Sequence, residues 1–134
     1  MAEYNIVEST KSVINRLLNN LPDGVPLDRV KLPNLTFNER INDQIWIRPT
    51  ITTINSSQLP GRWKKDEKIF TVSIFAPLGS GDLASLEIAD KIRLLFENKS
   101  FNDVNCQKAE ILQLGSDGEY DQTQININFY YEGF

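Results

Sequence analysis

A chain of 134 residues with 40% hydrophobic side chains, 24% charged side chains and a mean hydropathy of −0.33 has the size and balance of one globular domain. It holds no apolar run approaching the roughly 20 residues of a membrane helix. A net charge of −4 argues against a basic phosphate-gripping face, and a chain with no histidine and one cysteine excludes Ser-His-Asp and Cys-His nucleophiles, an internal disulfide and most transition-metal sites.

In chain order, Met1-Ala2-Glu3-Tyr4 lacks the basic flank and apolar stretch of a signal peptide, so a cytoplasmic start is expected. Residues 4–21 place Ile6, Thr10, Val13, Ile14, Leu17, Leu18 and Leu21 at helical spacing. Asn19 to Gly24, with Pro22 inside, ends that helix. Residues 22–43 hold Pro22, Pro26 and Pro33 and read as a long connection with one short extended piece around Val30 to Leu32.

Residues 44–54 alternate Ile45, Ile47 and Ile51 against Trp46, Arg48 and Thr50, which predicts a strand with one buried face. Pro49 cannot donate to a ladder and implies an edge or a bulge. Residues 55–68 are polar around Pro60-Gly61 and read as a long exposed hairpin tip. The next strand, 69–76, carries apolar residues on both faces, which suits a central position.

A second helix is expected over 83–97, with Ser85, Ile88, Ala89, Ile92, Leu95 and Phe96 inward. Asn98-Lys99-Ser100 ends it. A third strand covers 104–114 with an irregularity near Gln107, and places Cys106 as a buried small hydrophobe. The last strand, 121–131, puts Ile125, Ile127, Phe129 and Tyr131 on one face and Gln124, Asn126 and Asn128 on the other. The order α-β-β-α-β-β predicts a single α+β domain over 1–134. Its expected core is a four-stranded, mainly antiparallel sheet with both helices packed on one face.

The strand–glycine–helix unit around Phe75-Ala76-Pro77-Leu78-Gly79-Ser80-Gly81-Asp82 is the one place that invites a phosphate. It lacks the lysine and spacing of a Walker loop and the third glycine of a dinucleotide fingerprint. Asp82 stands at the helix start, where its carboxylate would cap free N–H groups and repel an anion. Phe75, Pro77, Gly79, Gly81 and Asp82 are therefore read as fold determinants, and no cofactor is expected. Glu110, Asp117, Glu119 and Asp121 lack the spacing of a calcium loop and read as a solvated turn. Arg62, Trp63, Lys64, Lys65 and Asp66 form a basic-aromatic tip whose field is cancelled by the acids that follow. They are read as a protein contact with Arg62 and Trp63 as anchors.

Two segments resemble the small tail terminator proteins of long-tailed bacteriophages. Residues 33–51, PNLTFNERINDQIWIRPTI, are similar to that family's Asn-x-x-Phe stretch leading into its first core strand. Residues 61–96 resemble its most characteristic piece: a glycine, a strand ending Phe-x-Pro-x-Gly-x-Gly, then a helix with an Ile-Ala-Asp-x-Ile-Arg core. The resemblance implies a virion protein with no catalytic residue, metal or cofactor, located at the head-proximal end of the tail and assembled in the host cytoplasm. It implies a ring of copies of itself, typically hexameric, that caps the tail tube, stops its polymerisation and offers a docking surface to the head–tail connector or neck protein. DNA would pass through the lumen without specific binding, and no membrane is involved. A neck or tail-completion protein of the same virion is the alternative; a small enzyme or a plain interaction module stands further off.

Overall fold

The structure is a computed structural model that describes residues 6–22, 25–32, 45–58, 64–77, 82–102, 104–116 and 120–133. Pro33–Phe37, Arg62, Trp63, Gly79, Gly81, Asp117 and Glu119 lie outside the described residues.

Helix α1 spans Ile6–Leu18. Its stripe of Val13 and Leu17 is fully buried, with Ile14 and Leu18 packed beside it. The helix tightens at its end, where Asn20 N–H donates to the Leu17 carbonyl and Asn20 Nδ2 donates to the Arg16 carbonyl at 2.9 Å. That side chain satisfies one of the carbonyls a helix end leaves open. A single 3-10 turn, Leu27–Arg29, follows.

The sheet is built from β1 (Trp46–Gln58), β2 (Lys64–Pro77), β3 (Ser100–Phe101), β4 (Val104–Ser116) and β5 (Tyr120–Gly133), in the order β1-β2-β5-β4-β3 with every named pair antiparallel. Strands β2 and β5 pair along their full lengths, from Lys64↔Gly133 to Pro77↔Tyr120, and form the sheet's spine. Helix α2, Asp82–Phe96, crosses between β2 and β3. Ile88, Ala89, Ile92 and Phe96 face Phe70, Val72, Ile74, Ile125, Ile127 and Phe129 in one dry core that also takes Val13 and Leu17 of α1. Phe70 and Phe96 meet edge to face, with ring centroids 5.2 Å apart.

The four-stranded expectation is corrected: the sheet has five strands and the chain order is α-β-β-α-β-β-β. The added strand, Ser100–Phe101, lies in the stretch read as the helix terminator. Asn98 and Asn102 adopt left-handed φ values of 56° and 45°, and they turn the chain back so that Phe101 opposes Val104. Two residues are too few to show any periodicity.

The expected exposed tip is also shorter than its sequence suggested. Strand β1 continues to Gln58 and β2 begins at Lys64, so Lys64, Lys65 and Asp66 are ladder residues paired to β1 on one side and β5 on the other. A polar strand is tolerated here because both neighbours satisfy its backbone. Nor is β1 buried on one face alone. Trp46, on the face away from the helices, is 3% exposed.

Pro49 sits on an edge strand, as its chemistry requires. Lys31 N–H donates to the Ile47 carbonyl at 2.8 Å, and Val30 bridges Ile47 in parallel. Odd-numbered residues of β1 from Ile47 to Thr53 therefore turn their backbone groups away from β2. Pro49 stands in that outward series, so its missing N–H costs no ladder bond.

Candidate functional site

The residues singled out from sequence do not converge. Phe75 and Pro77 lie at one end of β2, while Lys64, Lys65 and Asp66 lie at the other, about 40 Å along the strand. Asp82 opens α2.

At the hairpin end, alternation sorts the charges by face. Lys65 lies on the outer face, with Nζ 4.6 Å from the Tyr130 ring centroid and 3.7 Å from Glu67. Asp66 points to the helix side, is 2% exposed and accepts a 3.0 Å hydrogen bond from the Tyr131 hydroxyl. Asp66 is thus a buried, hydrogen-bonded side chain of the folded subunit. Lys68, equally buried, holds its ammonium 6.0 Å from the Tyr131 ring.

At the other end, Phe75 stacks on Trp46 at 4.0 Å with an interplanar angle of 12°, and Tyr120 meets both rings edge-on. Arg48 and Lys31 bring cationic groups to 5.4 Å from Phe75 and 5.6 Å from Trp46. The described part of residues 61–77 is therefore held by packing: Phe70, Val72 and Ile74 on one side of β2, and the Phe75 stack on the other.

Between these ends the outer face is a belt of hydroxyls and amides. Thr71 Oγ1 donates to Asn126 Oδ1 at 2.7 Å, and Asn126 Nδ2 reaches Gln124 Oε1 at 3.5 Å. A shallow cavity of about 150 Å³ opens there between Lys108, Glu110, Asn126 and Asn128. Thr71, Asn126 and Gln124 thus bond to one another, with Lys108 and Glu110 beside them at the cavity.

The β4 edge is organised by the end of α2. Strand β4 bulges between Cys106 and Ala109, as the irregularity near Gln107 foretold. Asn98 N–H donates to the Gln107 carbonyl, and Ala109 N–H donates to Glu97 Oε2 at 3.0 Å. Glu97 also accepts from Arg93 at 2.9 Å. The Ala109 N–H, then Arg93, hold the Glu97 carboxyl below the ordinary glutamate range. Cys106, one turn of the bulge away, is buried, and desolvation pushes its thiol up to about 12. Such a thiol is inert at neutral pH, which suits a packing role.

Sequence reasoning missed an apolar groove. It has a volume of about 320 Å³ and lies between α1 and the open edge of β1, lined by Thr10, Ile14, Leu32, Pro49, Thr50 and Ile51. Only the edge character of Pro49 hinted at it. A more polar cleft of about 500 Å³ lies between α1 and the β3–β4 turn, lined by residues that include Lys11, Asn15, Arg16, Asn19 and Phe101. There the Arg16 guanidinium is already engaged: Nε donates to the Leu95 carbonyl at 2.7 Å and the group lies over Phe101.

No family model and no curated protein matches this chain. A protein of known structure, bearing a name that says nothing of function, is similar to it with a TM-score of 0.65 over 96% of this chain and 96% of its own, at 14% sequence identity. That likeness extends to the fold alone.

Proposed function

We propose that this chain is a structural subunit of a long-tailed phage virion, assembling into a typically hexameric ring that caps the tail tube, ends its polymerisation and presents a docking surface to the head connector. The observation that carries this is the resemblance of the sequence 61–96, which holds strand β2, the glycines Gly79 and Gly81, and helix α2 with Ile88-Ala89-Asp90 and Ile92-Arg93 at its centre. Two features are consistent with it. The motif's apolar residues are spent on the core, so the segment specifies a scaffold and leaves the surfaces to vary. The centre of the outer sheet face, Thr71, Asn126 and Gln124, is an amide and hydroxyl belt on an acidic chain, and a conduit for DNA needs walls that do not hold phosphate.

The test is to add the purified protein to tail-tube protein under polymerising conditions and to measure tube length by negative-stain microscopy. Capped tubes of arrested length, with a ring at one end, are expected. Tubes that grow as they do without the protein would overturn the capping role. Binding to the connector alone would move the assignment to a neck protein.

A further inference from the structure

We propose that the ring, on the premise that this chain forms one, closes by pairing the free edge of β4 in one copy with the free edge of β1 in the next, so that the sheet continues across the subunit boundary. Three independent observations lead there.

The first is chain direction. Strands β1 and β4 are separated by three antiparallel ladders, so they run in opposite directions. Rotating a copy about an axis along the strands sets its β1 antiparallel to its neighbour's β4, with no change of pattern. Such a contact uses two different surfaces and is head to tail, the kind that generates rings.

The second is where the edges are open. Among the described residues, β1 is covered on its outer side at Ile47 by Val30 and Lys31, and β4 is covered up to Ala109 by β3 and the Glu97–Lys99 segment. Ile51 and Thr53 turn outward in β1. Ala109 already gives its N–H to Glu97, so the outward residues left in β4 are Ile111 and Gln113. The register that matches these groups places Ile51 opposite Gln113 and Thr53 opposite Ile111. It also brings Gly115 opposite Pro49, where the missing N–H would otherwise waste a partner. Within one copy, Ile51 lies level with Ala109 through Phe70 and Ile127. The proposed register is thus offset by four residues. Spread over the four main strands, that offset inclines them by about 35° to the ring axis, inside the ~35–45° tilt of closed sheets.

The third is side-chain chemistry. Ile54 in β1 and Leu112 and Leu114 in β4 are 52%, 41% and 51% exposed, and they flank these same backbone stretches. The apolar groove beside Pro49 and Ile51 lies under the incoming strand, where the neighbour's Gln113 stands opposite Ile51 and its half-buried Ile111 lies one pair further along, opposite Thr53. An edge strand with apolar side chains and open backbone groups is a template for another strand.

The experiment uses two proline variants of the whole chain. Thr53→Pro and Gln113→Pro each remove one outward N–H and spare the internal ladders, as Pro49 does. Thermal melts establish that each folds. Solution mass is measured by light scattering after gel filtration across a wide concentration range. The wild type is expected as a ring and each variant as a monomer. An equimolar mixture should give a discrete dimer, because the intact β4 edge of one variant meets the intact β1 edge of the other. If a proline variant fails to fold, Ile54→Lys and Leu112→Lys replace the pair, with the same mixing rule. A wild-type ring that survives both variants would overturn the edge assignment and leave the ring standing. Dimers formed by Thr53→Pro alone would mean that β4 pairs with itself, which also overturns it. A wild type that stays monomeric throughout would overturn the pairing and the ring together.

Discussion

The two faces of the sheet are made by the same strands and obey different rules. On the helix side, Phe70, Val72, Ile74, Ile125, Ile127 and Phe129 are sealed from water. On the outer side, one residue along each strand, stand Thr50, Thr71, Asn126 and Gln124, with aromatic packing confined to the Trp46–Phe75–Tyr120 end. The dry face supplies stability by burial. The polar face ties β1, β2 and β5 together through directional bonds and fixes their alignment, since a slip of one residue would exchange the faces. Stability and alignment are thus assigned to opposite sides of one layer.

That division predicts graded effects. Phe129→Ala, on the dry face, should destabilise by about 3–5 kcal/mol, read from denaturant midpoints. Phe75→Ala should cost roughly 3 kcal/mol, the lower end of the same range, because its cluster holds only three rings. If Phe75→Ala proves the more damaging, the outer aromatic patch carries more of the fold than its size suggests. Thr71→Val should cost about 1 kcal/mol by leaving Asn126 Oδ1 without its donor. No loss would mean that the belt does not hold the register.

Ser85 tests the dry face in the opposite direction. It is 1% exposed, and its hydroxyl has no hydrogen-bond partner among the described residues. Ser85→Ala should raise the thermal midpoint, by about 1 kcal/mol or less of added stability. The smallest effect concerns pH. The Glu97 carboxyl is lowered in the folded chain, so its contribution is full above the ordinary glutamate range and is lost as pH falls through the folded value. Glu97→Ala should flatten the acid limb of a melting-temperature profile and change the neutral plateau less. An unchanged acid limb would show that the tie to Ala109 carries no stability.

Much of this was legible from residues alone, and the failures have physical causes. Strand β5 announced itself by alternation, because one of its faces is packed throughout. Helix α2 did so by the spacing of Ile88, Ile92 and Phe96. Pro49 marked an edge or a bulge because a missing N–H breaks an interior ladder, and the edge is where it lies. The Lys64–Lys68 stretch was misjudged because charge usually reports solvent. Here Asp66 and Lys68 are buried beside Tyr131, and that compensation comes from a residue 65 positions away from Asp66. Strand β3 was invisible because two residues carry no period. The groove beside β1 depends on where α1 and Leu32 come to rest against an edge, which no local pattern encodes.

Cys106 gives the molecule a built-in clock. It is the chain's single thiol, it is 7% exposed, and its ionisation is held near 12. A thiol-specific reagent at neutral pH can react with it only when the region between α1 and the β3–β4 hairpin comes apart. The labelling rate of the unmodified protein therefore measures how often that region opens. If copies join as proposed, it reads the same local event before and after, with no substitution to disturb either state.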